Sequence, residues 1–176
     1  MSHLQLPKTN VHHIAKQLLN DSRLNESKEI LTELLEEDPS DFLAIHMLGL
    51  LAKKAKQWNL AIAFFTRAIE TNRINFASYF ERGLVNRKIA DLPGSISDFS
   101  FALKINPVSV ETLNNRGIAL CQAGNSAQAI VDFSEAIALK PNCSQTYFNR
   151  GLAHRTFGQI NAALDDYTRS IELDSK

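Results

Sequence analysis

The sequence predicts an all-α protein in which five helix-turn-helix repeats stack into a solenoid, and three observations lead to this prediction. Glycine recurs at an interval of 34 residues, at Gly49, Gly83, Gly117 and Gly151. A small residue stands twelve positions after each glycine, at Ala61, Ser95, Ala129 and Ala163. An aromatic ring follows four positions later, at Phe65, Phe99, Phe133 and Tyr167. A fixed period of this length is typical of proteins built from repeated helix pairs.

The period divides the chain into five repeats, which we interpret as one domain, 8–176, preceded by an N-terminal tail, 1–7. The repeats cover residues 8–41, 42–75, 76–109, 110–143 and 144–176. The first repeat diverges most, because Ser22 and Ser27 take places that usually hold glycine and alanine. Ala15, Leu31 and Pro39 nevertheless keep it in the frame.

The first helix of each repeat is illustrated by the fourth repeat. Leu113, Gly117 and Leu120 follow helical spacing, and Ser109 is placed to cap the N-terminus of this helix. Gly124 then indicates where the helix ends, because glycine is the residue that most often breaks a helical pattern. We therefore expect a turn between the two helices at this point.

The second helix of the same repeat begins after Asn125, which together with Gln128 resembles a capping box. Its apolar face carries Ala129, Ile130, Phe133, Ala136 and Ile137, and the helix is expected to stop at Lys140-Pro141-Asn142. Small residues on both helices allow their backbones to approach closely. We expect the aromatic ring to fill the wedge between repeats.

These residues resemble the tetratricopeptide repeat, a 34-residue helix-turn-helix unit with the same pattern of small, aromatic and proline positions. The resemblance covers residues 8–176. It implies a right-handed superhelix of antiparallel helix pairs in which the first helices line a concave groove. It also implies a protein-protein interaction scaffold that binds a protein or peptide ligand. The first two repeats, with Leu34 to Pro39 and Ile45 to Gly49, resemble the repeat arm of bacterial O-linked N-acetylglucosamine transferase-like proteins.

Comparison of the five repeats predicts a contact between their two helices. The residue before the helix glycine and the residue sixteen positions later are both apolar in the first two repeats, as in Leu48 with Phe64. In the last three repeats the same places hold arginine and aspartate: Arg82 with Asp98, Arg116 with Asp132, and Arg150 with Asp166. We predict three structural ion pairs. Coincidence or shared descent of three similar repeats would also produce this pattern.

Composition excludes several classes of function. Lys and Arg number 19 and so do Asp and Glu, which argues against nucleic acid or a membrane surface as a partner. No secretory signal pattern is visible at the start, so a cytoplasmic location is expected. Cys121 and Cys143 lack CxxC spacing and are expected to be free thiols. No metal-ligand spacing, phosphate-binding glycine motif or catalytic arrangement occurs, so no cofactor, metal or enzymatic activity is expected.

The resemblance also implies which first-helix side chains face the groove. In the second and third repeats these include His46, Leu50, Lys53, Lys54, Phe80, Glu81, Leu84, Arg87 and Lys88. In the fourth and fifth repeats they include Asn114, Asn115, Ile118, Gln122, Phe148, Asn149, Leu152 and Arg155. Over all groove positions, which add Lys16 and Glu111, six residues are basic and two are acidic. This excess predicts an extended acidic peptide or protein segment as ligand, unless the lysines are only solvated helix ends.

The carboxylate clamp of the chaperone-adaptor members is absent, since His46, Leu50 and Glu81 take its places.

Two alternatives to a peptide-binding scaffold stay open, a glycosyltransferase arm and a self-associating module. Asn115 and Asn149 would supply at most two rungs of an asparagine ladder, which fits a substrate-recruiting arm of a larger glycosyltransferase. The last helix carries Ile160, Leu164 and Ile171, and its apolar flank fits either homo-oligomer formation or a longer protein.

Overall fold

The computed structural model describes residues 7–174, and within them the chain forms ten α-helices and no strand. The helices are α1 (Lys8–Asn20), α2 (Leu24–Glu37), α3 (Phe42–Lys54), α4 (Trp58–Thr71), α5 (Phe76–Lys88), α6 (Leu92–Ile105), α7 (Val110–Gln122), α8 (Ser126–Leu139), α9 (Ser144–Thr156) and α10 (Ile160–Asp174). Odd-numbered helices are the first helices of the five repeats and even-numbered helices are the second. The prediction of an all-α helical repeat solenoid is confirmed.

The two side-chain caps that the sequence predicts are present at the N-termini of α7 and α8. The Ser109 hydroxyl accepts a hydrogen bond from the Thr112 backbone N–H at the start of α7. The Asn125 side chain accepts one from the Gln128 N–H at the start of α8, which is half of the predicted capping box. These bonds satisfy backbone donors that a helix N-terminus leaves without partners.

The turn between the two helices of each repeat contains one residue with a left-handed backbone. This residue is Ser22, Lys56, Ala90, Gly124 or Gly158, with φ of 62°, 58°, 64°, 82° and 90° in that order. Its position recurs with the repeat period, so all five turns have the same geometry. Only the last two repeats place glycine there, the residue that adopts this conformation without steric cost.

The small and aromatic positions produce close packing between the paired helices. A Cβ atom added to Gly117 would lie 2.7 Å from the ring of Phe133, and one added to Gly151 would lie 2.7 Å from the ring of Tyr167. The ring therefore lies against the glycine of its own repeat. The Phe133 ring also shares a buried cluster with Ala153 of the next repeat, in keeping with the predicted wedge.

The chain divides into two compact units, Met1–Val85 and Asn86–Lys176. The core of the first unit includes Ala15, Leu31 and Leu48. The core of the second includes Leu120 and Phe133. The prediction of one continuous domain over 8–176 stays a prediction. No helix in the described residues is long and apolar enough to cross a membrane.

Candidate interaction surfaces

Arginine side chains hold the first helices in position within the second unit. Arg116 on α7 donates from Nε and Nη2 to the two carboxylate oxygens of Asp132 on α8, each at 2.8 Å. Its Nη1 donates to the Ser100 hydroxyl on α6 at 3.1 Å. Arg150 on α9 repeats this arrangement with Asp166 and Ser134. Each arginine thus joins a second helix before it to the second helix after it.

The predicted arginine–aspartate contact is therefore present in two of the three proposed pairs. The Asp132 carboxylate hydrogen-bonds the Arg116 guanidinium and raises its pKa. The Arg82–Asp98 pair falls on different compact units and stays a prediction. In the first unit, Arg82 donates to the Thr66 hydroxyl at 2.8 Å, the same place that Ser100 takes for Arg116. The comparison of the repeats did not predict this contact between arginine and a hydroxyl group. The signal for it was the serine or threonine that stands two residues after the aspartate position.

The apolar pair Leu48 and Phe64 occupies the corresponding place in the first unit. Leu48 belongs to the buried cluster formed by α1, α2 and α3, and Phe64 packs against that cluster. In the first repeat, Ile30 belongs to the same cluster, and its pair Ile14 packs against it. The two paired positions are therefore hydrophobic in the repeats that lack the arginine, which agrees with the comparison of the five repeats.

Two of the three predicted cations on the first-helix face of the first unit have partners within that unit. Lys53 pairs with Glu81. Lys54 donates to the Leu19 backbone carbonyl at 2.7 Å, at the C-terminal end of α1. Lys16 is exposed and forms no hydrogen bond or ion pair with residues 7–174. Of the predicted basic positions in this unit, Lys16 alone retains a charge free for a ligand.

His46 lies between this face and the core. Its Nδ1 is 2.8 Å from the Ser78 hydroxyl, and its ring lies 5.4 Å from the ring of Phe65. Burial and the nearby Lys53 lower the pKa of His46 to about 4. The imidazole is therefore neutral at physiological pH and cannot attract an anionic ligand.

The apolar groove positions of the first unit are largely packed. Phe80 is buried, and its ring stacks on that of Phe76 at 5.9 Å. Leu50 and Leu84 are half-buried, and Leu50 packs against the core. These side chains offer a ligand only part of their surface.

The first-helix face of the second unit is more open. Phe148 on α9 is 44% exposed, and its ring lies 5.8 Å from that of Tyr167. Lys88 and Arg155 are exposed, and neither forms a hydrogen bond or ion pair with another described residue. Gln122 is also exposed, whereas Ile118 and Leu152 are half-buried. An aromatic ring and two available cations therefore lie on the first helices of this unit.

Hydrogen bonds of amide and guanidinium groups order the polar part of this face. Arg87 Nη2 donates to the Asn115 amide oxygen at 2.9 Å, and the Asn115 Nδ2 donates to the Glu111 carbonyl at 2.8 Å. The Asn149 oxygen accepts from Gln145 at 3.0 Å. Arg87 Nε and the Asn114 oxygen are buried without a hydrogen-bond partner in the described residues. Burial lowers the pKa of Arg87.

Catalytic and metal chemistry has little support in residues 7–174. No group of three or more histidine, cysteine, aspartate or glutamate side chains there could hold a metal ion. Both cysteines are free thiols, as expected. Burial raises the pKa of Cys121, which disfavours the nucleophilic thiolate.

Comparison with protein families identifies tetratricopeptide repeats at residues 110–143 and 144–176. Comparison with curated proteins gives no match.

Several solved structures share the fold. A crystal structure of MamA protein is 20% identical, with a TM-score of 0.87, over 96% of this chain and 92% of that chain. MamA from residue 41 to its end, from Desulfovibrio magneticus RS-1, is 16% identical with a TM-score of 0.87, over 95% and 94%. YrrB, a TPR protein with an unusual peptide-binding site, is 18% identical with a TM-score of 0.85, over 94% and 86%.

At these identities the structures establish the fold. The two family matches show that the chain contains tetratricopeptide repeats, over residues 110–143 and 144–176.

Proposed function

We propose that the chain is a non-enzymatic protein-protein interaction scaffold whose second unit binds an extended acidic peptide or protein segment along its first helices. The observation that carries this proposal is the exposure of Phe148 on the same helix as the available cation Arg155. Residues 148, 152 and 155 follow helical spacing and share one face of α9. An apolar anchor beside a positive charge is suited to an acidic segment that also carries hydrophobic side chains.

The charge balance of the second unit supports an acidic ligand. Among its predicted groove positions, Arg87, Lys88 and Arg155 are positive and Glu111 is negative. Attraction between unlike charges speeds the encounter of a ligand with such a surface. The first unit contributes less, because Lys53 and Lys54 already have partners within the unit. We therefore assign the acidic ligand to the second unit.

The amide side chains of this face would hold the peptide backbone. Asparagine offers a donor and an acceptor together, which matches one peptide group. Asn115 and Asn149 lie on successive first helices, and their present hydrogen bonds are to Glu111, Arg87 and Gln145. A bound peptide would most readily replace the hydrogen bond between Gln145 and Asn149, because this bond is at the surface. YrrB provides a structural parallel with its own peptide-binding site.

Fluorescence anisotropy tests this proposal with a labelled peptide in which phenylalanine is flanked by several aspartates. We expect Arg155→Glu and Phe148→Ser each to weaken binding by about tenfold. Lys140→Glu is the matched control, because Lys140 is exposed in the loop after α8 and outside the predicted groove. Added salt should weaken binding to the unaltered protein. Equal affinity for all three variants would overturn the proposal.

Self-association through α10 is a second candidate, favoured by exposed apolar side chains. Ile160 is 55% exposed and Leu164 is 58% exposed. The residue equivalent to Leu164 in the fourth repeat, Ile130, packs instead against the core. Sedimentation velocity should show concentration-dependent oligomers that Leu164→Lys removes and Ile74→Lys retains. Ile74 is an equally apolar, exposed residue on another surface. A monomer at every concentration would exclude this candidate.

A further inference from the structure

The second helices of the first unit enclose an apolar cavity that the groove does not use. The cavity has a volume of about 320 Å³ and lies between α2 and α4, with α3 as its floor. Its apolar lining comes from Leu24, Leu48, Leu51, Ala52, Ala55, Leu60 and Phe64. Its polar lining comes from Asn25, Lys28 and Gln57. Leu60 is 46% exposed, so the cavity opens to solvent.

A departure from the repeat pattern accounts for this cavity. The places equivalent to Lys28 hold Ile62, Ile96, Ile130 and Leu164 in the other repeats. Ile96 and Ile130 pack into the core of the second unit, where they fill the seam between neighbouring helices. Lys28 is exposed instead. The first repeat therefore lacks the apolar side chain that packs against the core in the second, third and fourth repeats.

The floor of the cavity also differs from its later equivalents. Leu48 and Phe64 line it, whereas the same places in the fourth repeat hold Arg116 and Asp132, which pair with each other. An apolar floor releases water favourably when an apolar group enters, and an ion pair would not. Two departures from the repeat pattern thus coincide at one place, and both favour an apolar ligand group.

The charges around the cavity restrict what accompanies that group. Lys28 is the one charged residue among those that line it. Along α4, Arg67 follows Leu60 and Phe64 at helical spacing and donates to the Pro39 carbonyl. No glutamate of α2 lines this cavity. Glu29, Glu33 and Glu36 share a neighbouring depression with Asn25 and Lys28, and Glu26 lies in a third depression with Ile14 and Leu18. The lining of the cavity itself therefore carries one positive charge and no carboxylate.

The mouth of the cavity carries two amide side chains. The Asn25 and Gln57 amides form no side-chain hydrogen bond with residues 7–174, and each offers a donor and an acceptor. Such groups match the backbone of an extended peptide. The volume suits a single large apolar side chain with part of its own backbone.

We propose that this cavity docks a segment of a partner protein that presents one aliphatic or aromatic side chain next to a single carboxylate. The apolar side chain enters between α2 and α4, the carboxylate meets Lys28, and the backbone contacts Asn25 and Gln57. The site is on the second helices and shares no residue with the acidic-peptide face of the second unit. It therefore stands or fails independently of the function proposed above.

The test uses the whole chain with labelled leucine methyl groups and a short peptide in which one phenylalanine precedes one glutamate in a glycine-serine background. We expect saturable shifts of the Leu48, Leu51 and Leu60 methyl signals in NMR titrations. A peptide with glutamine in place of glutamate should bind several-fold more weakly. Absence of saturable shifts at these leucines, or strongest shifts at Leu152, would overturn the proposal.

Two variants separate the cavity from a general surface effect. Lys28→Ile introduces the residue that other repeats carry, so it should fill the seam, preserve the fold and weaken binding by about tenfold. Lys16→Ile, an equal change at an exposed position on α1, should leave binding intact. Lys28→Glu keeps an exposed charged side chain and should reduce binding of the glutamate peptide but not of the glutamine peptide. Unchanged affinity in both Lys28 variants would overturn the proposal.

Discussion

Arg116 binds both carboxylate oxygens of Asp132 and also donates to the Ser100 hydroxyl, so one side chain connects three consecutive helices. The Asp132 side chain is 1% exposed and the Arg116 side chain 21% exposed. A carboxylate this deeply buried depends on its partner, because burial of an unpaired charge is strongly unfavourable. The bond from Arg116 to Ser100 thus joins the third repeat to the fourth.

Loss of one partner should destabilise the protein more than loss of both. We expect Arg116→Leu to lower the free energy of unfolding by about 3–5 kcal/mol, because Asp132 is then buried without a counter-charge. The double change Arg116→Leu with Asp132→Leu should recover much of this loss, since an apolar pair occupies the same place in Leu48 and Phe64. Urea unfolding of the two variants provides the comparison. Equal destabilisation would argue against the pair as a unit.

The sequence predicted the fold well because the repeat pattern reports on packing. The spacing of the glycine, the small residue and the aromatic ring reflects one packing contact. In the fourth repeat this contact joins Gly117 and Phe133, and an equivalent contact occurs in each unit. The caps at Ser109 and Asn125 are local in sequence and were also predictable. Comparison among repeats gave the Arg116–Asp132 pair, because a covarying pair within one chain reports a contact.

The state of the candidate site was less predictable. A count of basic residues could not show that Lys53 and Lys54 are engaged with Glu81 and the Leu19 carbonyl, because these contacts join different helices and depend on side-chain conformation. The cavity at Lys28 was missed for a different reason. Its signal was present in the repeat comparison, but an exposed lysine on a helix has an ordinary interpretation unless the packing of neighbouring isoleucines is known.

The recurring left-handed turn residue should respond to substitution in opposite directions. Ala90 has a φ of 64°, a conformation that is unfavourable for residues with a Cβ atom. Ala90→Gly should therefore stabilise the protein by up to about 1 kcal/mol after the added entropy of the unfolded chain is counted. Gly124→Ala should destabilise it by about 1 kcal/mol, and only through the backbone, because a Cβ atom there would meet nothing within 4 Å.

Thermal unfolding of the two turn variants measures these effects. Since both residues lie in the second unit, the same core is monitored in each case. Changes of the same sign in the two variants would contradict the assigned turn geometry.

The close contact of Gly117 with Phe133 makes the helix glycine intolerant of even one methyl group. The added Cβ atom would lie 2.7 Å from the ring, and Phe133 is fully buried. Alanine favours the helix by about 1 kcal/mol over glycine, but overpacking in a rigid core costs about 1–3 kcal/mol. We expect Gly117→Ala to be net destabilising in urea unfolding. Phe133→Leu should cost less in the Gly117→Ala background than in the unaltered protein, and additive losses would contradict the contact.

His46 should make the stability of the protein depend on pH between about 4 and 6.5. Its pKa is lowered from 6.5 to about 4 by burial and by Lys53. Between these values the unfolded chain binds a proton that the folded chain does not, so stability falls as pH decreases below about 6.5 and the contribution is fully lost near 4. By pH 5 the loss should reach about 2 kcal/mol.

Comparison with His46→Gln isolates this contribution from that of the carboxylates. Glutamine is neutral at every pH and retains a group able to hydrogen-bond Ser78, which lies 2.8 Å from the imidazole. Urea unfolding at pH 7 and pH 5 should show a smaller loss of stability in the variant, by about 2 kcal/mol. Parallel pH profiles would mean that the imidazole takes up its proton in the folded state near its ordinary pKa. The contact with Ser78 and the packing on Phe65 would then not exclude water from the ring as the structure requires.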